Sequence, residues 1–148
     1  MPRLVDVVCA PPEHVVPQTF AAEFARATFG PMMPNLERLM PIFENAGIAT
    51  RHLCRPPEWY RDDHSLGEIS RVYIEAATTL CAQAGRTLLE RHGLGPEAID
   101  RVLYVNTTGL ATPSIDARLI NLLGLRRNVR RTPIWGLGPG TVVPARLA

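Results

Sequence analysis

Stretches in which apolar residues recur every three or four positions alternate along the chain with short runs rich in β-branched residues. The first pattern is typical of a helix with one buried face, and the second is typical of a strand. Helices are predicted over residues 18–29, 35–47, 66–92 and 112–123. Strands are predicted over residues 4–9, 48–54, 101–107 and 131–135. Strands that alternate with helices indicate a layered α/β fold whose strands are partly parallel.

Several residues mark where these helices begin, break or end. Asn35 can cap the second helix, and Pro41 within that helix predicts a kink or a restart because proline lacks an amide hydrogen. Ser65 and Glu68 have the spacing of a capping box, in which each side chain binds the backbone amide of the other residue. Helix stops are predicted at Gly30, Gly47, Gly93 and Gly124.

The predicted long helix carries small and apolar residues on one side. Much of this stripe is alanine, so the helix is expected to pack closely against another layer of the fold. The stripe consists of Leu66, Ile69, Tyr73, Ala76, Ala77, Leu80, Ala84 and Leu88.

Composition narrows the class of protein. The chain has 148 residues, of which 46% are apolar and 20% are charged, as in one globular domain. Its net charge of +2 is too small to indicate nucleic acid or an anionic membrane as a partner. The first residues lack the long apolar core of a signal peptide, and no apolar run is long enough to span a membrane. A soluble, cytoplasmic protein is therefore expected.

Cysteine usage argues against a disulfide framework and against a zinc site. The number of cysteines is odd, and no two of them have the CxxC spacing of metal and redox motifs. A reducing cytoplasm fits this usage best. Cys9, Cys54 and Cys81 lie in apolar runs and are predicted to be small core residues.

Other polar stretches suggest chemistry that the surrounding sequence does not support. Residues 62–65 contain Asp, His and Ser, but a catalytic triad needs residues that converge in space, and a helix cap explains this segment better. The glycines of residues 136–140 suggest a phosphate loop, yet no helical pattern and no acidic residue follow them. The scattered His14, His52 and His92 show no metal-ligand spacing.

One long stretch resembles a known family. The sequence VNTTGLATPSIDARLINLLGLRRNVRRTPIWGLG is similar to type III polyketide synthases, the chalcone- and stilbene-synthase-like branch of the thiolase superfamily. ENAGIATRHLCRPPEWY and residues 93–100 fit the same family, so the resemblance runs to Gly138. It implies the N-terminal half of a layered, thiolase-like α/β fold with a mixed sheet and packed helices. Residues 1–138 would be a partial chalcone/stilbene synthase N-terminal domain, and residues 139–148 a tail outside the family pattern.

The resemblance also implies where the nucleophile belongs. In the family, the turn matching residues 136–138 continues into a cysteine whose thiolate attacks an acyl thioester, assisted by a helix N-terminus and a histidine. The matching position is Pro139, which offers neither a nucleophile nor an amide hydrogen for an oxyanion. The family's catalytic His and Asn lie beyond this point in a longer chain, so no catalytic residue is expected in this one. A frameshift or premature stop would explain the departure, and an intact downstream frame encoding Cys-x-Gly-Gly would support that hypothesis.

Three threonines match family positions near the substrate. Thr107 and Thr108 correspond to a strand-end pair beside the active-site cavity, where their hydroxyls would contact substrate. Alternatively, the Thr-Thr-Gly strand end satisfies local backbone groups. Thr112 corresponds to the residue that reaches across the dimer interface into the partner's cavity. As an alternative, or in addition, Thr112 caps the helix that starts at Pro113.

Arg38 matches the first of three basic positions that contact the phosphates of coenzyme A in plant members of the family. The other two positions are Pro41 and Asn45, which carry no charge. The alternative is a solvated arginine on an exposed helix face.

The activity implied by the resemblance is acyl transfer. An acyl-CoA starter would load onto cysteine, malonyl-CoA would lose carbon dioxide, and the resulting carbanion would condense with the acyl group. Coenzyme A thioesters are the implied substrates, no metal or organic cofactor is implied, and the enzyme would be a homodimer. For this chain, two alternatives remain open: a non-catalytic dimerisation partner of a full-length synthase, or a fragment of a ketoacyl-synthase-III-like condensing enzyme. Without the family's central helix, one sheet face is expected to stay uncovered and to promote association.

Overall fold

The computed structural model describes residues 3–136. The chain divides into two compact units. The first unit is Pro11–His64, and the second unit combines Met1–Ala10 with Ser65–Ala148. In the residues that the structure describes, each unit contains one two-stranded sheet, antiparallel in the first and parallel in the second. The predicted mixed α/β class is therefore confirmed.

The sheet of the first unit is short. Strand β1 (His14–Pro17) pairs antiparallel with strand β2 (Thr50–Leu53), which confirms the strand predicted over residues 48–54. A single turn of 3-10 helix follows at Pro57–Arg61. The sequence does not predict β1, because four residues are too few to show a strand period against the surrounding prolines.

Three helices complete the first unit: α1 (Gln18–Phe29), α2 (Leu36–Leu39) and α3 (Pro41–Asn45). The bounds predicted for α1 are confirmed. The restart at Pro41 is also confirmed, since this proline begins α3, where an amide hydrogen would have no helical partner. The predicted cap at Asn35 is wrong. Its side chain makes no capping hydrogen bond, and its backbone angles of −99° and 15° differ from the extended conformation of a capping residue.

A buried glutamine ties the helices of the first unit to its sheet. The amide nitrogen of Gln18 donates to the carbonyl oxygen of Phe43 at 2.8 Å. Its amide oxygen accepts a hydrogen bond from Nε of Arg51, on β2, at 2.7 Å. Both ends of this buried side chain are thus satisfied, as the cost of burying an amide demands. The apolar side chains buried in this unit are Val16, Ala25, Leu36 and Met40.

The buried strand predicted over residues 4–9 is wrong. These residues form no strand, and Leu4 remains 82% exposed. A strand needs a neighbour for its backbone groups, and no strand of residues 3–136 pairs with this segment. Asp6 instead holds the segment to the end of the long helix, where its Oδ2 lies 3.1 Å from Nε2 of His92.

The long helix α4 (Leu66–His92) starts and ends as predicted. The Ser65 hydroxyl accepts a hydrogen bond from the Glu68 amide at 3.3 Å, and the Glu68 carboxylate accepts one from the Ser65 amide at 2.9 Å. This capping box confirms the structural interpretation of residues 62–65. Gly93 ends the helix with φ of 58°, a left-handed conformation that glycine adopts without strain.

A strand–helix–strand motif follows α4 in the second unit. Strand β3 (Arg101–Asn106), helix α5 (Ile115–Leu123) and strand β4 (Arg130–Trp135) follow one another along the chain. β3 and β4 are parallel, with Asn106 opposite Trp135. α5 lies on the crossover that parallel pairing requires. Both predicted strands are confirmed, and their parallel pairing agrees with the predicted fold of partly parallel strands.

Helices α4 and α5 pack closely, as the alanine-rich stripe predicts. A Cβ atom on Gly85 would lie 2.9 Å from a methyl carbon of Leu123, so glycine at this position allows the approach. The core of the second unit centres on Ala82, Ile115 and Leu119. The predicted stripe is wrong in detail, because it omits Ala82 and includes Leu66, which is exposed.

One face of the parallel sheet is uncovered. Tyr104 packs against the core, so the alternation of a strand turns its neighbours Leu103 and Val105 to the opposite face. Leu103 is 41% exposed and Val105 is 44% exposed. The expectation of an uncovered apolar sheet face agrees with these values.

Candidate functional site

A cavity of about 290 Å³ opens at the carboxyl ends of β3 and β4. In parallel sheets this edge is where ligands commonly bind, since loops from several strands meet there. The polar residues that line the cavity are Tyr73, Tyr104, Asn106 and Ser114. Its apolar wall consists of Leu110, Ala111, Ile115, Pro133, Ile134 and Trp135.

Two tyrosine hydroxyls meet at this cavity. Tyr73 projects from α4 and Tyr104 from β3, and their hydroxyl oxygens lie 2.8 Å apart. Burial raises the pKa of both side chains. Their mutual hydrogen bond lowers the pKa of Tyr73 and raises that of Tyr104, because the first phenolate to form is stabilised by the remaining hydroxyl and opposes a second ionisation. Both groups therefore keep their hydrogen at neutral pH and can donate hydrogen bonds.

Gly109 allows the loop after β3 to lie against the Tyr73 ring. A Cβ atom at this position would be 2.5 Å from Cγ of Tyr73, closer than any real side chain tolerates. The loop and the ring are thus fitted to each other. The sequence marks this glycine only as part of a Thr-Thr-Gly strand end and gives no sign that Tyr73 is its neighbour.

Asn106 braces the same loop from the end of β3. Its Nδ2 donates to the carbonyl oxygen of Gly109 at 2.7 Å, and its Oδ1 accepts from the amide of Thr108 at 2.8 Å. The asparagine, and not a threonine hydroxyl, therefore satisfies the Gly109 carbonyl and the Thr108 amide. Thr107 and Thr108 are exposed beside these cavity-lining residues. Their contact with substrate stays a prediction.

Thr112 does not cap α5, so that alternative is wrong. The helix begins at Ile115, and Ser114, with an extended backbone, occupies the cap position directly before this first buried side chain. Thr112 lies two residues earlier, in the exposed part of the loop. Its role at a dimer interface stays a prediction.

A buried carboxylate that sequence reasoning missed lies in the first turn of α5. Asp116 is 0% exposed, and its Oδ2 lies 3.3 Å from Nη1 of Arg131 on β4. Its Oδ1 has no hydrogen-bond partner in the part of the chain that the structure describes. The available signal was an acidic residue in a helix first turn beside the apolar Ile115, a place where the helix dipole favours negative charge.

The first unit contains the remaining predicted site residue. Arg38 lies exposed on α2, and the nearby Pro41 and Asn45 add no charge. Its contact with phosphate stays a prediction. A smaller cavity of about 130 Å³ in this unit is lined in part by Phe20, Phe24 and Tyr60.

The cysteines differ in their surroundings. Cys9 is exposed, so its prediction as a core residue is wrong, and the reason is that residues 4–9 form no strand. Cys54 and Cys81 are half-buried, and burial raises the pKa of the Cys81 thiol. The Cys54 sulfur lies 3.4 Å from the Tyr60 hydroxyl. Burial, together with this contact, raises the pKa of Tyr60 to about 12.

Residues 3–136 contain no group of three or more His, Cys, Asp or Glu side chains placed to hold a metal ion. Over the same residues, no helix combines the length and the apolar character needed to cross a membrane.

The described chain ends where the predicted turn begins. Gly136 follows β4 with φ of 79°, and its amide donates to the carbonyl oxygen of Asn106 at 3.2 Å. The predictions for Pro139 and for the tail at residues 139–148 lie outside the described residues.

Solved structures define the class of this fold. The crystal structure of 1,3,6,8-tetrahydroxynaphthalene synthase from Streptomyces coelicolor A3(2), a bacterial type III polyketide synthase, matches with a TM-score of 0.73 and 30% identity. The match covers 86% of this chain and 37% of that one. The chain therefore has the thiolase-like fold of type III polyketide synthases.

Sequence comparison places the chain within this class. The family model described as "Chalcone and stilbene synthases, N-terminal domain" matches residues 3–148, and the chain belongs to this family. A Bacillus subtilis (strain 168) protein named "Putative chalcone synthase" is 38% identical over 143 residues, which cover 93% of this chain and 39% of that protein. The 1,3,6,8-tetrahydroxynaphthalene synthase of Streptomyces griseus is 32% identical over 93% of this chain. The chain spans 37% of that synthase, so it corresponds to well under half of either relative.

Proposed function

We propose that this chain supplies the N-terminal domain of a type III polyketide synthase, an enzyme that condenses malonyl-CoA onto an acyl-CoA starter with loss of carbon dioxide. The observation that supports this proposal most directly is the cavity between the Tyr73–Tyr104 pair and the end of β4. Its apolar wall suits an acyl chain or a ring, and β4 leads into the turn where the family places its nucleophile. The relatives named for tetrahydroxynaphthalene synthesis are consistent with a polyketide product.

The remaining roles follow from the family. Coenzyme A thioesters would be the substrates, with Arg38 as a phosphate contact and no metal or organic cofactor. Thr107 and Thr108 would shape the substrate cavity beside Asn106. The enzyme would act as a cytoplasmic homodimer, with Thr112 near the interface.

The chain by itself is proposed to be inactive. In acyl loading, a thiolate attacks the thioester carbonyl carbon, the bond to the coenzyme A sulfur breaks, and the coenzyme leaves as a thiolate. The nitrogen of Pro139 is part of a peptide bond and cannot take the place of the attacking sulfur. Condensation has no acyl-enzyme to act on without this step.

A chimera tests the proposed function. Residues 1–138 of this chain are joined to the part of the Streptomyces griseus synthase that follows its matching turn, including the family's cysteine. Incubation with malonyl-CoA and an acyl-CoA starter should release coenzyme A and form a polyketide, both followed by mass spectrometry. The matched control replaces that cysteine by alanine and should form no product. A folded chimera that binds coenzyme A thioesters and yields no product would contradict the proposal.

The uncovered sheet face favours a second candidate, a non-catalytic partner of a full-length synthase. Leu103 and Val105 present apolar surface that association would remove from water. Co-expression with the Streptomyces griseus synthase, followed by size-exclusion chromatography with light scattering, distinguishes this partner role from the role of a synthase domain. A complex of defined stoichiometry supports the partner role. Elution of the two chains as separate species excludes it for this synthase.

A further inference from the structure

We infer that the paired hydroxyls of Tyr73 and Tyr104 form a ligand-recognition element, which binds the carbonyl oxygen of a small, neutral aromatic or acyl ketone in the cavity beside β3 and β4. For the identity of the natural ligand, a carbonyl of the growing polyketide, the inference rests on the proposed function. The hydrogen-bond donor itself follows from the geometry of the cavity.

One of the two hydroxyl hydrogens of this pair is not used in the hydrogen bond between the oxygens. Each tyrosine carries one hydroxyl hydrogen, and a single hydrogen bond of 2.8 Å joins the two oxygens. One hydrogen therefore lies between the oxygens, and the other is left for a third group. Within residues 3–136, neither hydroxyl makes a second hydrogen bond. A ligand acceptor in the cavity would complete the pair.

The other polar side chains of the cavity are less suited to this role. Asn106 uses both ends of its amide to brace the loop at Thr108 and Gly109. Ser114 makes no capping hydrogen bond, so its hydroxyl is the competing donor. The two tyrosines differ from Ser114 because their rings fix the positions of their hydroxyls, whereas a serine hydroxyl turns on one short bond.

The rest of the lining selects a neutral ligand. No charged side chain lines this cavity among the described residues, so nothing there would pair with an ionised group. Trp135 and Leu110 contribute exposed apolar surface for a ring or a short acyl chain. The volume of about 290 Å³ lies at the lower end of the range found for small-molecule sites.

Close packing holds the donor in place before a ligand arrives. The backbone of Gly109 lies against the Tyr73 ring so closely that no side chain fits between them. Burial favours the neutral form of both phenols and raises the pKa of Tyr73 and of Tyr104, so the donated hydrogen is present at neutral pH. A donor that is already oriented loses little entropy on binding.

A pair of probes tests the inference on the full chain. Acetophenone and ethylbenzene have nearly the same shape, but only acetophenone has a carbonyl acceptor. Their Kd values are measured by saturation-transfer NMR with the native chain, the double variant Tyr73→Phe/Tyr104→Phe and the control Tyr60→Phe. Tyr60 is a suitable control because its hydroxyl also has a protein partner, the Cys54 sulfur. It lies in the first unit, whereas the residues that line the cavity belong to the second. Far-UV circular dichroism checks that each variant is folded.

The native chain should bind acetophenone about fivefold more tightly than ethylbenzene, the effect of roughly one net hydrogen bond. Tyr60→Phe should keep this preference, and the double variant should bind both probes equally. Equal Kd values in the native chain, or no binding of acetophenone, would overturn the inference. A preference that persists in the double variant would also overturn it, since the donor would then be another group such as Ser114. Because free acetophenone needs no thioester chemistry, this result is independent of whether the chimera makes a polyketide.

Discussion

Among residues 3–136, each of the two units buries one polar residue, and these two side chains are hydrogen-bonded to different degrees. In the first unit, Gln18 bonds at both ends, to Phe43 and to Arg51. In the second unit, one oxygen of Asp116 faces Arg131, and the other has no partner among the described residues. Unmet hydrogen-bonding groups are costly in a folded chain and are therefore informative where they persist.

Other features of the second unit follow the same trend. Within the described part of the chain, one tyrosine hydroxyl hydrogen at its cavity has no acceptor, and its sheet leaves Leu103 and Val105 exposed. These groups lie on or beside β3 and α5, within the stretch whose sequence resembles the synthase family. The comparison shows that the described part of the second unit leaves polar and apolar groups without partners, whereas the buried amide of the first unit is hydrogen-bonded at both ends.

The largest expected effect is the loss of a core side chain from the second unit. Ile115→Ala removes a fully buried side chain from the centre of the cluster with Ala82 and Leu119, which should lower the free energy of unfolding by about 2–5 kcal/mol. Urea unfolding followed by Trp135 fluorescence in a Trp59→Phe background measures this unit.

The matched control for that prediction is Ile42→Ala in the first unit. Ile42 is 65% exposed, so this change should shift the free energy of unfolding by less than about 0.5 kcal/mol. Equal losses in the two variants would contradict the core assigned to the second unit.

The next effect concerns the loop against Tyr73. Gly109→Ala places a methyl group where the tyrosine ring lies, and the resulting overpacking should lower the free energy of unfolding by about 1–3 kcal/mol. The same urea experiment measures it. Gly67→Ala in α4 is the control, because its nearest neighbour would be 3.9 Å away and alanine favours a helix. A tolerated Gly109→Ala, with an unchanged preference for acetophenone, would show that the loop is not fitted to the ring.

A comparison of the two buried polar groups gives the third prediction. Gln18→Leu removes the hydrogen-bond partner of the Phe43 carbonyl and of the Arg51 Nε, and it should cost about 1–3 kcal/mol of unfolding free energy. Trp59 fluorescence in a Trp135→Phe background reports on this unit. Glu23→Leu on the exposed face of α1 is the control and should have little effect.

Asp116→Asn sharpens the same comparison. The amide keeps one oxygen for Arg131 and removes a buried charge, so the loss of unfolding free energy should stay below about 1 kcal/mol. If Asp116→Asn lost more unfolding free energy than Gln18→Leu, the buried carboxylate would matter more for stability than the buried amide, which would contradict the comparison of the two units.

The smallest effect appears only at high pH. Tyr60 has a pKa of about 12 in the folded chain, above its ordinary value of 10.0, chiefly because burial disfavours the phenolate. The unfolded chain therefore loses this proton first, and the stability that depends on it declines as the pH rises from 10 towards 12. Tyrosinate absorbance and urea unfolding measured across this range should show a shallower decline in Tyr60→Phe. An identical decline in both proteins would contradict the assignment.

Elements with strong local signals were predictable from the sequence. The capping box at Ser65 and the terminal Gly93 define α4, and the six-residue strand β3 shows an apolar run between clear breaks. The segment at residues 4–9 shows the limit of such signals, because a strand depends on a partner that local sequence does not reveal.

The candidate site was less predictable than the fold. The family motif points to Thr107 and Thr108, yet the residues that line the cavity include Tyr73, which lies on a helix more than thirty positions earlier. Its contact with Gly109 depends on how α4 packs against β3, and no local pattern records that packing. A sequence motif therefore locates residues along the chain, but it does not show which distant residues pack beside them.

Acylation of the chain itself is the most direct test of the claim that its turn lacks the attacking sulfur. A Cys9→Ser variant, which removes the exposed thiol, is incubated with an acyl-CoA starter and malonyl-CoA and is weighed by intact-protein mass spectrometry. The mass of the chain should stay unchanged, with no stoichiometric release of coenzyme A. One acyl group per chain, with an equal amount of coenzyme A released, would contradict the account.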